Sequence, residues 1–211
     1  MGLRPTGIVL VFLMSVFVSA CVRPVDPTPT PRPTDIPVLP TPTQPVILGA
    51  TFPVQAITTW LQTTFGTAPN NLATFMQLQV GPDDVVGYAY QDASGQQCAG
   101  VILTTAATGQ IWNGHTRCVP TGTGIIAATT LLALTNGEPY VATYVYIDPA
   151  VLPGANAVAI QFPDGSSLPA NNQDSILRNN GYIGMRSGFD FPSLVVVTDQ
   201  GGNVLSQISP Q

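Results

Sequence analysis

The sequence predicts a mainly β protein, a sandwich or open barrel of antiparallel hairpins with a short N-terminal helical portion; an α+β fold is the alternative. From residue 85 onward, short runs rich in Val, Ile, Thr and Tyr alternate with turn-forming Gly, Asn, Asp and Pro at intervals of about ten residues. Only 8% of the residues are charged, and Thr, Ser, Asn, Gln and Gly supply most of the polar surface. Hydrophobic residues make up 45% of the chain, enough to fill a core, so disorder of the whole chain is excluded.

The first 21 residues indicate export and lipid attachment. One cation, Arg4, precedes an apolar stretch of eleven residues (8–18), too short to span a bilayer, which takes about 20. The sequence that follows, Val18-Ser19-Ala20-Cys21, resembles the lipobox of bacterial lipoproteins. This resemblance implies that residues 1–20 are removed as a signal peptide and that a lipid on Cys21 anchors the protein. The anchor would lie at the outer face of the cell membrane, or at the outer membrane where the cell has one. The alternative, cleavage without lipid attachment, leaves Cys21 as a free thiol, which is unfavourable in an oxidising compartment.

Residues 22–46 predict a disordered, extended stalk rich in Pro and Thr. Nine of these 25 residues are proline, which has no N–H to donate within a helix or an inner strand. Polyproline II is the regular conformation that remains, and at about 3.1 Å per residue the stalk reaches about 75 Å. We therefore expect it to present the rest of the chain beyond a surface layer.

Residues 47–211 are predicted to form a globular β-rich domain, with 47–120 and 121–211 as candidate subdomains. Its first element is a helix, because one helical face collects the apolar side chains of Val54, Ile57, Trp60, Leu61 and Phe65. Gly66 follows where a C-terminal cap belongs. Residues 72–80 fit a helix or a strand equally well.

Strands and turns dominate the remainder. Apolar and small residues alternate over 85–90, and a turn at 106–109 separates strands at 101–105 and 111–118. Asn136-Gly137 lies between two β-rich runs and predicts a hairpin, because both residues accept positive φ. The last 60 residues resemble the immunoglobulin-type β modules of exported bacterial proteins.

Cys98 and Cys118 are predicted to form a disulfide. A hairpin folded about the turn at 106–109 places them opposite each other, and an exported protein meets oxidants. A redox pair would need Cys-X-X-Cys spacing, and zinc would need two further ligands although the chain has a single histidine. We therefore expect a structural bridge, with no metal and no cofactor.

Reactive side chains do not form a recognisable catalytic set. His115 lacks an accompanying nucleophile motif, since no Gly-X-Ser-X-Gly sequence is present. Asp83 and Asp84 are adjacent, so on a strand they point to opposite faces and cannot flank one sugar. The sequence therefore predicts that the protein is not an enzyme.

The aromatic residues suggest a binding surface. Five tyrosines are candidates for an exposed patch that binds sugar or peptide: Tyr88, Tyr90, Tyr140, Tyr144 and Tyr146. The alternative is that they cover the core. Trp60 and Trp112 are expected to be core anchors.

The net charge and the predicted location at a membrane surface together define the predicted function. Without residues 1–20, five arginines face eleven carboxylates, a net charge of −6, so nucleic acid is excluded as a partner. The leading hypothesis is a non-enzymatic, lipid-anchored surface protein that binds a protein or glycan or supports the envelope. The alternative is a solute- or glycan-binding lipoprotein of a transport or hydrolase system, and an envelope hydrolase is the third candidate.

Overall fold

The computed structural model describes residues 45–48, 52–66, 68–169 and 174–211. The predicted signal peptide, the lipid site at Cys21 and the stalk up to residue 44 lie outside the described residues. Within them the fold is mainly β and antiparallel, with the helix α1 (Val54–Phe65), so the predicted fold class is confirmed. The strands are β1 (Val46–Leu48), β2 (Asn70–Val80), β3 (Asp83–Gln91), β4 (Gln97–Thr105), β5 (Ile111–Val119), β6 (Ile125–Ala133), β7 (Pro139–Ile147), β8 (Ala157–Gln161), β9 (Ser167–Leu168), β10 (Gly181–Ser187), β11 (Leu194–Thr198) and β12 (Val204–Ile208).

The first sheet has five strands in the order β1-β2-β3-β4-β5. Residues of β3 and β4 alternate between its two faces: Tyr88 and Ile102 pack against α1, whereas Val85 and Val101 belong to the cluster shared with the other sheets. Because both faces are covered, β3 is buried along nearly its whole length. Strand β3 therefore lacks the alternation of polar and apolar residues that is typical of a strand with one solvent-exposed face.

Helix α1 lies on the outer face of the first sheet. Ile57 and Leu61 are fully buried beneath it, and the ring of Trp60 lies so close to β5 that a Cβ on Gly114 would be 2.7 Å from it. The helix ends at Gly66, whose φ of 66° is left-handed and whose N–H donates to the carbonyl of Gln62. The predicted helix and cap are confirmed. No helix in the described part of the chain has the length and apolar character to cross a bilayer.

Two further sheets complete the fold, with the strand orders β10-β7-β6 and β12-β11-β8-β9. One hydrophobic cluster joins all three sheets and includes Leu103, Tyr144 and Val195. Because this cluster draws residues from both sides of position 120, the two halves of the domain share a core. The division into subdomains and the immunoglobulin-type resemblance of the last 60 residues stay predictions.

Three local expectations are resolved by the structure. Residues 72–80, which fitted a helix or a strand, belong to β2. The predicted hairpin at Asn136-Gly137 joins β6 to β7, but only Gly137 adopts a positive φ there, 85°. Trp112 is 39% exposed, so its expected role as a core anchor is wrong, since it lies on edge strand β5.

Candidate functional site

A cleft of about 310 Å³ lies beside one end of the first sheet, next to β7 and to the turn that precedes β10. Its described lining comprises five residues with carboxamide side chains, three aromatic residues and three small residues: Asn71, Gln91, Gln97, Asn179, Asn180, Phe75, Tyr90, Tyr146, Ala73, Thr74 and Ala89. Its volume is at the lower end of the roughly 300–1,000 Å³ typical of small-molecule sites.

The turn at Asn179-Asn180 supplies two of the carboxamides. Both residues adopt positive φ, 45° and 65°, and Arg178 and Gly181 on either side exchange backbone hydrogen bonds of 2.9 Å. Positive φ at both central residues is the requirement of a type I′ turn, and Asn tolerates it better than most residues. The carbonyl of Asn180 also accepts from the N–H of Ile147, which fixes the turn against the end of β7.

The opposite wall is the irregular start of β2. Asn71 has a φ of 54°, and the pairing of β2 with β3 shifts register both before Ala73 and after Thr74. Register shifts of this kind re-aim side chains and are frequent beside binding sites. Asn179 Nδ2 donates to the carbonyl of Thr74 at 3.3 Å, so the two walls are joined directly.

Phe75 forms the floor between the two walls. Its ring occupies the space that side chains would fill at Gly87 and Gly181, where an added Cβ would lie 2.3 Å and 2.2 Å from ring carbons. The ring of Tyr146 lies 6.1 Å from that of Phe75, and Tyr146 is half-buried. The floor is therefore apolar and closely packed.

The described lining of the cleft carries no ionised side chain at neutral pH. The pKa of Tyr146 is raised mainly by burial and further by the carboxylate of Asp148. The pKa of Tyr90 is likewise raised mainly by burial and further by the carboxylate of Asp92. Both phenols therefore stay protonated. Gln97 Nε2 donates to the carbonyl of Tyr90 at 3.2 Å, which uses one of the four hydrogen-bonding positions of its carboxamide.

The predicted tyrosine patch is only partly at the surface. Tyr88 and Tyr144 are 0% exposed, Tyr140 is 1% exposed and Tyr90 is 3% exposed, so the prediction is wrong for these four. The physical reason is that β3 and β7 are inner strands of their sheets and are buried along nearly their whole length. Tyr146 is half-buried and lines the cleft; Tyr90 borders the cleft, but its ring stacks on that of Tyr88 in the cluster under α1.

His115 is placed in a contact between sheets. Its Nδ1 lies 2.9 Å from the hydroxyl of Tyr144, and burial, followed by the positive charge of Arg117, lowers the pKa of His115. Burial also raises the pKa of Tyr144. The pair is therefore a neutral imidazole with a neutral phenol at neutral pH, joining β5 to β7.

Asp83 and Asp84 face opposite sides of the first sheet, as predicted. Asp83 accepts hydrogen bonds from the N–H of Thr135 at 2.7 Å and from its hydroxyl, next to the second sheet. Asp84 accepts from Gln77 Nε2 at 3.1 Å on the other face. Each carboxylate is thus held by a different element.

The predicted disulfide between Cys98 and Cys118 is confirmed. The two residues are direct partners in the register of β4 and β5, with their Cα atoms 4.0 Å apart. Asp92 lies close to both sulfur atoms, and these three are the described residues that meet the geometry of a metal site. Because the sulfurs are bonded to each other, neither is available as a thiolate ligand.

The sequence analysis did not identify the carboxamides of the cleft. The sequence does contain a signal, because two of its three Asn-Asn dipeptides, at 70–71 and 179–180, contribute to the cleft, and Asn is enriched among non-glycine residues with positive φ. Comparison of the chain with protein-family models, curated proteins and solved structures gives no match.

Proposed function

We propose that this chain is an exported, lipid-anchored binding protein. A lipid on Cys21 retains it at the outer face of a membrane, the proline-rich stalk that precedes β1 extends outward, and the β-rich domain binds a ligand in the cleft without transforming it. The domain thereby acts as a receptor on the cell surface.

The proposed location is supported by the lipobox-like sequence Val18-Ser19-Ala20-Cys21 and by an apolar stretch that is too short to serve as an anchor helix. The disulfide between Cys98 and Cys118 is compatible with an oxidising compartment outside the cytoplasm. Two or three acyl chains, at about 0.8 kcal/mol per buried CH₂, are sufficient for durable attachment.

The binding role rests on one observation, the cleft lined by five carboxamides. Carboxamides orient a ligand through hydrogen bonds, but they do not exchange protons near neutral pH. A site built from them and from the neutral phenol of Tyr146 suits recognition better than acid–base catalysis.

Metabolic labelling with radioactive palmitate tests the anchor. We expect label in the wild-type chain and in the membrane fraction, and loss of both in Cys21→Ala. A Cys21→Ala variant that stayed in the membrane fraction would show that something other than a lipid at this position holds the protein.

A further inference from the structure

We infer that the cleft binds a sugar unit of a neutral glycan. This inference rests on the proposed function, because it names the ligand class for the same binding site. The argument uses the hydrogen-bonding chemistry of the walls, their charge, and the aromatic floor.

The walls match the chemistry of hydroxyl groups. A sugar hydroxyl both donates and accepts, and so does a carboxamide, which offers two N–H groups and a carbonyl oxygen. Asn71 and Asn180 stand on opposite walls, and Gln91 and Gln97 are direct partners at the ends of β3 and β4. A ligand between them meets donors and acceptors from several sides, as a ring with several hydroxyl groups requires.

The charge of the cleft selects against anionic ligands. A phosphate or carboxylate group would lose its hydration without gaining a cation among the described lining residues, which is strongly unfavourable. The carboxylate of Asp148, which raises the pKa of Tyr146 in the cleft, adds repulsion against anions. The glycan should therefore be neutral rather than acidic.

The aromatic floor supplies the apolar contact. Sugar rings carry C–H groups on their faces, and an aromatic ring with a polar tip packs against such a surface while it keeps its hydroxyl hydrogen-bonded. Tyr146, half-buried and backed by Phe75, has this character. A cleft of about 310 Å³ has room for a mono- or disaccharide portion of a longer chain.

The turn that carries Asn179 and Asn180 is ordered before a ligand arrives. The turn at Asn179-Asn180 is fixed by the bonds between Arg178 and Gly181, and Asn179 is tied to the carbonyl of Thr74. Groups already ordered in the free protein lose less conformational entropy on binding. This order also permits a clean substitution, because Asn180→Gly creates the Asn-Gly pair that type I′ turns favour and removes one carboxamide.

The experiment measures binding of neutral hexasaccharides to the full chain in detergent, by calorimetry and by NMR of the carboxamide NH₂ signals. The probes are maltohexaose, cellohexaose and the hexamer of N-acetylglucosamine, with polygalacturonate as the acidic counterpart and tetra-alanine with acetylated and amidated termini as a neutral peptide. The matched control is Asn136→Gly, in the turn at the far end of β7. At about 3.4 Å per residue, Asn136 lies more than about 20 Å from Tyr146.

The expected result is that at least one neutral hexasaccharide binds and shifts the NH₂ signals of the cleft. Asn180→Gly should weaken this binding about three- to tenfold, and Asn71→Gly combined with it about ten- to a hundredfold. Tyr146→Ala should weaken it about five- to tenfold through loss of the ring. Asn136→Gly should bind as the wild type does, and polygalacturonate should not bind.

Three outcomes would overturn the inference: no neutral hexasaccharide binds at millimolar concentration, Asn180→Gly binds them as tightly as the wild type, or polygalacturonate binds equally well. If instead tetra-alanine binds and Asn180→Gly weakens it, the sugar class is wrong but the binding function stands. Palmitate labelling of Asn180→Gly reports on the anchor separately, because residue 180 is remote in sequence from the lipid site.

Discussion

Removing the bridge between Cys98 and Cys118 should cost the domain a predictable part of its stability. The informative perturbation is reduction of the wild-type chain, because it opens the cross-link without deleting an atom of the core. The double variant Cys98→Ala/Cys118→Ala adds the loss of a buried sulfur, since Cys98 is 0% exposed.

The magnitude follows from the separation of 20 residues between the cysteines. In the chain-entropy model, closing a loop of that length restricts the unfolded chain by about 3 kcal/mol at 25 °C. For a domain of this size, each kcal/mol shifts the melting temperature by about 2–4 °C, so reduction should lower it by about 6–12 °C. The double variant should lose on the order of 1 kcal/mol more, because a cavity replaces the sulfur of Cys98.

Urea titration in the presence and absence of a reductant measures the effect, and mass spectrometry of non-reduced peptides verifies the bond. Cys118→Ala is the control: it has no cross-link to lose, so a reductant should leave its unfolding midpoint unchanged. If oxidised and reduced wild type unfold at the same urea concentration, the loop does not restrict the unfolded chain and the reasoning fails.

Three further predictions test other contacts between layers. Asp83→Asn should lower the free energy of unfolding, measured by urea titration, by about 1–2 kcal/mol, because a neutral amide replaces the buried carboxylate that accepts from the N–H and hydroxyl of Thr135. A free energy of unfolding equal to that of the wild type would contradict this prediction. Gly114→Ala should lower the free energy of unfolding by about 1–3 kcal/mol, because the new methyl group would lie 2.7 Å from the ring of Trp60. Adding Trp60→Leu to the same chain should recover part of that loss. Strictly additive costs would show that the two residues are not in contact. Burial, followed by the positive charge of Arg117, lowers the pKa of His115 below its ordinary value of 6.5. On acidification, His115 is therefore protonated in the unfolded chain before it is protonated in the folded one. The free energy of unfolding should fall as the pH drops from 6.5 towards the lowered pKa. His115→Gln should abolish that fall in urea titrations across this range, and its persistence would assign the effect to other groups.

Elements whose structure depends mainly on residues close to one another in sequence could be predicted from the sequence. The helix at residues 54–65 follows from the spacing of its apolar residues and from Gly66, and the Cys98–Cys118 bridge follows from the symmetry of a hairpin about its turn. β2 was ambiguous because its short apolar run fits either period, and its place between β1 and β3 decides the question. The hairpin at Asn136-Gly137 was predicted, although only Gly137 needed the positive φ.

The tyrosines show where local reasoning fails. Alternation along a strand assigns Tyr140, Tyr144 and Tyr146 to one face but does not say whether water or another sheet lies over that face. The first sheet covers this face of β7, so Tyr144 meets His115 while Tyr146, at the end of the strand, lines the cleft. Burial of a strand is a property of the layers around it.

The sequence by itself determined the fold class, the helix and the cysteine pairing, because each depends on periodicity, composition or short motifs within one stretch of chain; the lipid anchor at Cys21 stays a prediction from such a motif. Only the tertiary structure decided the cleft, because its carboxamides come from three segments, around residues 71, 91–97 and 179–180, that are far apart along the chain. They meet because β3 pairs with β2 and β4, and because the turn before β10 is tied to β7 and to Thr74. The pairings of β2 with β3 and of β3 with β4 join strands that are consecutive in the chain, but the contact of the turn before β10 with β7 and Thr74 depends on the packing of whole sheets, and no local pattern encodes it.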